Sequence, residues 1–207
     1  VCVFVHDTIP LDHPQLQRKG TADAFGRFLN RALRHADLIL CNSEQTRQDI
    51  LRHARGTEPR IAVAHLGVAR PDPGVAPQGP WSGAPYFVCV GTIEPRKNHA
   101  LLLDLWPDIP EAHLLICGNR GWENAETFAR LDRGVERVHE LPGLDDGAIA
   151  ALLAGSAGAL FPSLAEGYGL PPAEAAALGV PVLCHDLPIY REVLGDIPVY
   201  ADVSDRY

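Results

Sequence analysis

Methionine is absent from all 207 residues, position 1 included, so Val1 is not expected to be a native start. VCVFVHD at the front reads as a strand already under way, and ADVSDRY stops without a closing helix, so the chain reads as a fragment cut at both ends. No charged segment or cleavage site precedes the first strand, which excludes reading it as a signal peptide. Positive charge is in deficit: 18 Lys and Arg stand against 26 Asp and Glu, a formal charge of −8. A global basic footprint for nucleic acid is therefore missing. No apolar run approaches the length of a membrane span. No pair of cysteines has CxxC spacing. The five, at 2, 41, 89, 117 and 184, lie in or beside apolar runs. They read as buried thiols of a cytoplasmic protein, with a zinc site as the weaker alternative.

Present instead is an ordinary globular composition, 46% hydrophobic and 21% charged, which argues against disorder and against a coiled coil. Short apolar runs at 1–5, 37–41, 60–66, 86–91, 113–117, 158–162, 181–184 and 197–200 alternate with helix-like segments. That alternation predicts βα units and parallel sheets, an α/β fold. LILC and YFVCV are apolar throughout, as strands covered on both faces should be. Phe25, Phe28, Leu29, Ala32, Leu33 and Ala36 share one helical face. The same segment, 18–35, carries Arg18, Lys19, Arg27, Arg31 and Arg34 against Asp23, a basic helix in an acidic chain. It is either a solvated face or a contact for anionic lipid or phosphate. Residues 71–85 are eight of fifteen Pro or Gly and read as a linker. They divide the chain into 1–70, with too few strands to close a sheet alone, and 86–207, a nearly complete doubly wound domain truncated at its C-terminus.

Three stretches could carry chemistry. In FPSLAEGYGLPPAEAAALGVPVLC, 161–184, a strand leads through a glycine loop to a helix opened by Pro171 and Pro172. Such an entry offers backbone amides and a positive dipole end to a phosphate. Glu166 precedes that end and Glu174 lies inside it. In YFVCVGTIEPRKNH, 86–99, Arg96 and Lys97 follow a strand end, where ligands of open α/β sheets bind. Arg supplies a fork and Lys a point charge. In HLLICGNRGWEN, 113–124, a glycine turn follows the next strand; a tight βα turn explains it as well as a binding role does. Patterns for GxGxxG, a P-loop and GxSxG are missing. Asp145 and Asp146 read as a helix N-cap before GAIAALLAG. His35, His53, His113, His139 and His185 have no ligand-like spacing.

Together these stretches resemble the nucleotide-sugar-binding domain of retaining GT-B glycosyltransferases of family four. The family's E-x(7)-E signature matches Glu166 and Glu174 within AEGYGLPPAE, and its phosphate-gripping turn matches GTIEPRKN with Lys97 at the lysine position. Thr92 departs from the commoner arginine after the glycine, and Arg96 supplies the guanidinium in its place. GTIEPRKN followed by CGNRGW looks like the branch of bacterial O-antigen and capsule mannosyltransferases. VHDTIPLDHP resembles the end of the acceptor-side N-terminal domain, with His6 at the cleft histidine. ADLILCNSEQTRQDI has Ser43 in the usual place, and HLGV, 65–68, resembles the entry to the hinge.

The resemblance implies a Rossmann-like C-terminal domain, plus a truncated piece of a second one, and a retaining hexosyltransferase. The donor is expected to be GDP-mannose and the acceptor a glycan or lipid-linked saccharide. It implies catalytic roles for Glu166, His6, Arg96 and Lys97. Donor contacts are implied for Thr92, Gly118, Leu144 (in the base loop LPGL, 141–144), Gly167, Tyr168, Gly169, Leu170 and Glu174. No DxD pair lies near these loops, so neither a metal nor a cofactor besides the nucleotide sugar is expected. The alternatives are a GT-B-type nucleotide-sugar epimerase and a non-catalytic nucleotide-sugar-binding protein. No nucleic-acid partner is expected. A location in the cytoplasm, at the inner face of the membrane through 18–35, is. The 207 residues by themselves are expected to be inactive, because two domains must close around the donor.

Overall fold

A computed structural model describes residues 1–56 and 58–203. Among the described residues two sheets form, both wholly parallel, of three and six strands. The chain divides into two compact units. One holds Val1–Gly67 together with Ala165–Gly169 and Leu187–Val193; the other holds the remainder.

The first unit contains β1 (Cys2–Val5), α1 (Ile9–Asp12), α2 (Thr21–His35), β2 (Leu38–Cys41), α3 (Glu44–His53) and β3 (Ile61–Val63). Its strand order is β1-β2-β3, with Val3 opposite Ile39 and Ile39 opposite Ile61. Val5, Leu29, Ala32, Ile39, Cys41 and Ile50 form its buried core, and Phe25 and Leu33 pack on it. The apolar face read from the sequence thus points inward, each buried Leu contributing about 1.5–3 kcal/mol. The helix begins at Thr21, after Gly20 in the left-handed region, so Arg18 and Lys19 precede it. Ser43 caps α3 by accepting from the Thr46 amide at 3.0 Å.

The second unit contains β4 (Tyr86–Val90), α4 (His99–Leu105), β5 (His113–Cys117), α5 (Ala125–Arg133), β6 (Val138–Leu141), α6 (Asp146–Ala154), β7 (Gly158–Phe161), α7 (Leu170–Ala177), β8 (Val182–His185) and β9 (Val199–Ala201). α8 (Pro188–Leu194) lies between β8 and β9 in sequence. The strand order is β6-β5-β4-β7-β8-β9. The sheet grows one way from β4 and then the other from β7, which is the doubly wound, Rossmann-like pattern with its switch point at the carboxyl ends of β4 and β7. Leu114, Leu115, Ile116 and Cys117 are all buried, as a doubly covered strand requires. Cys89, Ile93, Leu102, Leu103, Trp106, Ala112, Leu114 and Ile116 make the core on one face.

Two readings from sequence are corrected here. β6 was not among the expected strands: VHEL carries His139 and Glu140, and all four residues are half-buried, so it lacks the apolar run that betrays a covered strand. The strand expected over 60–66 is confined to Ile61–Val63. Residues 68–78 form neither helix nor strand. Trp81, farther along the Pro/Gly-rich stretch, is buried, its ring 4.9 Å from that of His139.

Candidate functional site

In the second unit, the loops leaving β4 and β5 are joined. The Gly91 amide donates to Cys117 at 3.0 Å, Ile93 to Asn119 at 2.9 Å, and Gly121 to Ile93 at 3.0 Å. Glycine is required where they touch. A Cβ on Gly118 would lie 2.0 Å from the Gly91 carbonyl oxygen, and one on Gly121 would lie 2.8 Å from Thr92 Cγ2. Beside this junction is a cavity of about 250 Å³, lined by Gly91, Thr92, Gly118, Asn119, Leu144 and Ile149 among others. Asn119 Oδ1 accepts the Gly143 amide at 3.2 Å, tying the β5 loop to the β6 loop. Burial pushes the Cys117 thiol up to about 12, so this lining residue is a neutral wall and not a nucleophile. Below the roughly 300–1,000 Å³ of complete ligand pockets, the cavity suits part of a ligand: a flat, half-apolar group edged by hydroxyl, amide and peptide groups.

The charges stand in the same loop. Pro95–Lys97 form one 3-10 turn, closed by Asn98 in the left-handed region at φ 55°. Lys97 is buried, its Cε 3.3 Å from where a Cβ on Gly91 would be. Arg96 pairs through Nε with Glu94 Oε1 at 2.5 Å, and Glu94 is 1% exposed. His99, also buried, has no hydrogen-bond partner on either ring nitrogen among the described residues. Burial, with the Lys97 charge adding to it, pulls its pKa down to about 4. Arg120 of the neighbouring loop is held by Glu140 at 2.8 and 2.7 Å and by Asp132 at 2.8 Å. Those carboxylates raise the guanidinium's already high pKa further.

α7 brings Leu170 and Glu174 to the second unit. Its C-terminus closes with Val180 donating to Ala175 and Gly179, at φ 79°, donating to Ala176. Pro171 and Pro172 remove two of the amides a helix start offers an anion. Any such contact therefore falls to Leu170 and to the residues before it. Burial raises the Glu174 pKa, and Asp146 raises it further.

The remaining expected residues are in the first unit. His6 is exposed and its ring is 4.6 Å from that of Phe4. Its carbonyl accepts from Thr46 Oγ1 at 3.3 Å. Glu166 is half-buried in the loop Ala165–Gly169. A Cβ on Gly167 would stand 2.7 Å from Asp7 Oδ2, so that loop passes against a carboxylate. Tyr168 donates its hydroxyl to Leu66 at 2.9 Å, and burial raises its phenol pKa. Gly169 turns the chain at φ 93°. Glu192 accepts the amides of Glu44 and Gln45 at 2.6 and 2.9 Å and meets His65 Nε2 at 2.8 Å.

Arg96, Lys97, Thr92, Gly118 and Leu144 thus gather at the carboxyl ends of adjacent strands, while Leu170 and Glu174 are on α7 of the same unit. His6, Glu166, Gly167, Tyr168 and Gly169 belong to the other unit. Glu94 and Asn119 lie within the stretches read from sequence but were given no role there, and neither were Asp7 and Glu192. Only Glu94, just before the cationic turn, carried a local signal: an acid two residues before an arginine.

Residues 76–197 match the family described as Glycosyl transferases group 1, and residues 1–70 match Glycosyltransferase Family 4. The chain is 32% identical to the serotype-specific mannosyltransferase WbdA of Escherichia coli, over 93% of this chain and 26% of that protein. It is 30% identical to the O-antigen chain mannosyltransferase B of Escherichia coli, over 97% and 56%. It therefore spans about a quarter to a half of the length of these relatives. The structure of Anabaena HepE in complex with UDP and glucose superposes with a TM-score of 0.77 at 17% identity, covering 99% of this chain and 58% of that one. WaaG, a glycosyltransferase involved in lipopolysaccharide biosynthesis, superposes with a TM-score of 0.68 at 18% identity, over 98% and 61%.

Proposed function

The chain belongs to the group 1 glycosyl transferases, and from that premise we propose that it serves the transfer of mannose from GDP-mannose, with retention, to a glycan or lipid-linked acceptor. The observation that carries this reading is the cavity at the strand ends: room for a base, with the Arg96–Lys97 turn in the same loop that lines it. Thr92, Gly118 and Leu144 contact the nucleoside, and Glu174 accepts from ribose hydroxyls. Arg96 and Lys97 neutralise the departing diphosphate, an electrostatic contribution that grows as the leaving group gains charge. Leu170 and the amides of Gly167, Tyr168 and Gly169 serve the diphosphate and sugar. Glu166 serves the donor sugar and His6 the acceptor side, both on the strength of the family motif. The donor reacts without a resident metal in this reading, since Lys97 and Arg96 supply the charge.

GDP-mannose is favoured because the curated relatives are mannosyltransferases. α2 exposes Arg27, Arg31 and Arg34 next to Phe28, a pattern that suits anionic headgroups and supports work at the cytoplasmic membrane face. Among the described residues no helix is long and apolar enough to cross a membrane. The 207 residues alone bind donor without sustained turnover.

Calorimetry with GDP, UDP and ADP tests the reading. GDP is expected to bind tightest, and Lys97→Ala to weaken it roughly tenfold or more, the usual cost of a charged hydrogen bond. Tighter UDP binding would remove the GDP-mannose assignment. Absence of binding by all three would remove the nucleotide-sugar reading. Repeated mannose transfer by the 207-residue chain would contradict its proposed inactivity.

A further inference from the structure

Glu94 is a full carboxylate at 1% exposure, one residue before the turn that presents both cations. Burying it is costly without partners, and Arg96 Nε is one, at 2.5 Å. A carboxylate beside two cations also lowers their combined charge to +1, which by Coulomb's law alone weakens their hold on an anion. A charge that costs both burial and attraction needs another use, and the geometry supplies one. The ion pair at Nε holds the guanidinium group beside Glu94 before any ligand arrives, so part of the rotamer entropy of a long side chain is already lost and is not lost again on binding. The backbone of this loop is equally fixed, by the Ile93–Asn119 and Gly121–Ile93 hydrogen bonds and by the Arg96 carbonyl accepting from Leu164 at 2.7 Å.

We propose that Glu94 is a positioning residue of the diphosphate subsite, orienting Arg96 toward a nucleoside diphosphate. This rests on the nucleotide-sugar reading of the same loop. Its ligand is the diphosphate group and not the base, and it acts through Arg96 without touching the ligand.

The test has a sign that separates the roles. Glu94→Gln keeps the shape and makes the loop more positive. A carboxylate that only dilutes charge predicts tighter GDP binding in this variant. A positioning carboxylate predicts weaker binding, by roughly tenfold, the loss of one charged hydrogen bond. GDP and guanosine are titrated into the wild-type chain, Glu94→Gln, Arg96→Ala and the double variant, with thermal midpoints recorded for each. The expected result is a loss for GDP but not for guanosine, and no further loss when Glu94→Gln is added to Arg96→Ala. Glu94→Asp, which keeps the charge on a shorter arm, is expected to recover part of the affinity and serves if Glu94→Gln does not fold. Unchanged or tighter GDP binding in a folded Glu94→Gln overturns the proposal while leaving the nucleotide-sugar reading standing. Equal losses for GDP and guanosine assign Glu94 to loop stability only, and also overturn it. A wild-type chain that binds neither GDP nor another nucleoside diphosphate removes both.

Discussion

His99 shows what burial does to a single residue. Its ring is buried two residues past Lys97, with both nitrogens unpartnered among the described residues, and its pKa falls to about 4. The unfolded chain holds the proton from about pH 6.5 downward, whereas the native state refuses it until about pH 4. The unfolded state therefore binds more protons throughout that window, and stability falls as pH drops from 6.5 to 4. The full loss is on the order of 3 kcal/mol. Urea titrations at pH 7 and pH 4.5 are expected to show a smaller drop for His99→Phe than for the wild-type chain; an equal drop would assign the acid sensitivity elsewhere. From sequence His99 was part of a motif, with nothing to mark it as buried. The same limit hid Asn119: its hydrogen bond to Gly143 spans 24 residues, and spacing along the chain cannot report a contact made by folding. Glu166, Glu174 and Lys97 stood out as candidates because a family motif matches there, and Asp145 was legible because an N-cap is a local device. Asp145 Oδ1 indeed accepts from the Ala148 amide at 2.7 Å.

At the scale of elements, two adjacent strand ends come together because neither carries a side chain there. The Gly91 carbonyl would stand 2.0 Å from a Cβ on Gly118, and the obstacle is backbone, which cannot rotate aside. Gly118→Ala must push the β4 and β5 loops apart, at a cost of roughly 1–3 kcal/mol, as in other overpacked sites. The same movement separates Thr92 from Asn119, which line one cavity. The variant is expected to lose nucleoside diphosphate affinity as well as stability, read by calorimetry and chemical denaturation together. Wild-type values in both would mean the loops yield without strain. Parallel strands such as HLLIC were legible because burial on both faces leaves an unbroken apolar run. β6 was not, because as the last strand beyond β5 it has one neighbour and keeps polar residues. Covered strands announce themselves by composition; an edge strand that keeps polar residues, as β6 does, is recognised only by its pairing.

Over the whole molecule, the two units differ in how much of their sheets is enclosed. The second unit centres on β4, β5 and β7, each paired on both sides, with Leu114, Leu115 and Ile116 fully buried. In the first, only β2 among the described strands has two neighbours. β1 is an edge of that sheet, with Phe4 37% exposed and Cys2 also exposed. The two cores share no residue: one surrounds Ile39, the other Leu103 and Trp106. Local stability follows buried apolar contact, and amides that open locally exchange without global unfolding. In the 207-residue chain, the amides of Leu114–Ile116 are therefore expected to exchange more slowly than those of β1, by a factor on the order of 100 or more. A nucleoside diphosphate held at the β4 and β5 loops adds protection in proportion to its occupancy, and the proposed site predicts that the second sheet gains most of it. Hydrogen exchange followed by mass spectrometry, with and without GDP, reads both effects in one experiment. Equal protection of the two sheets without ligand would show that they open as one unit. Protection by GDP confined to β1–β3 would move the nucleotide away from the strand ends where Lys97 and Arg96 stand.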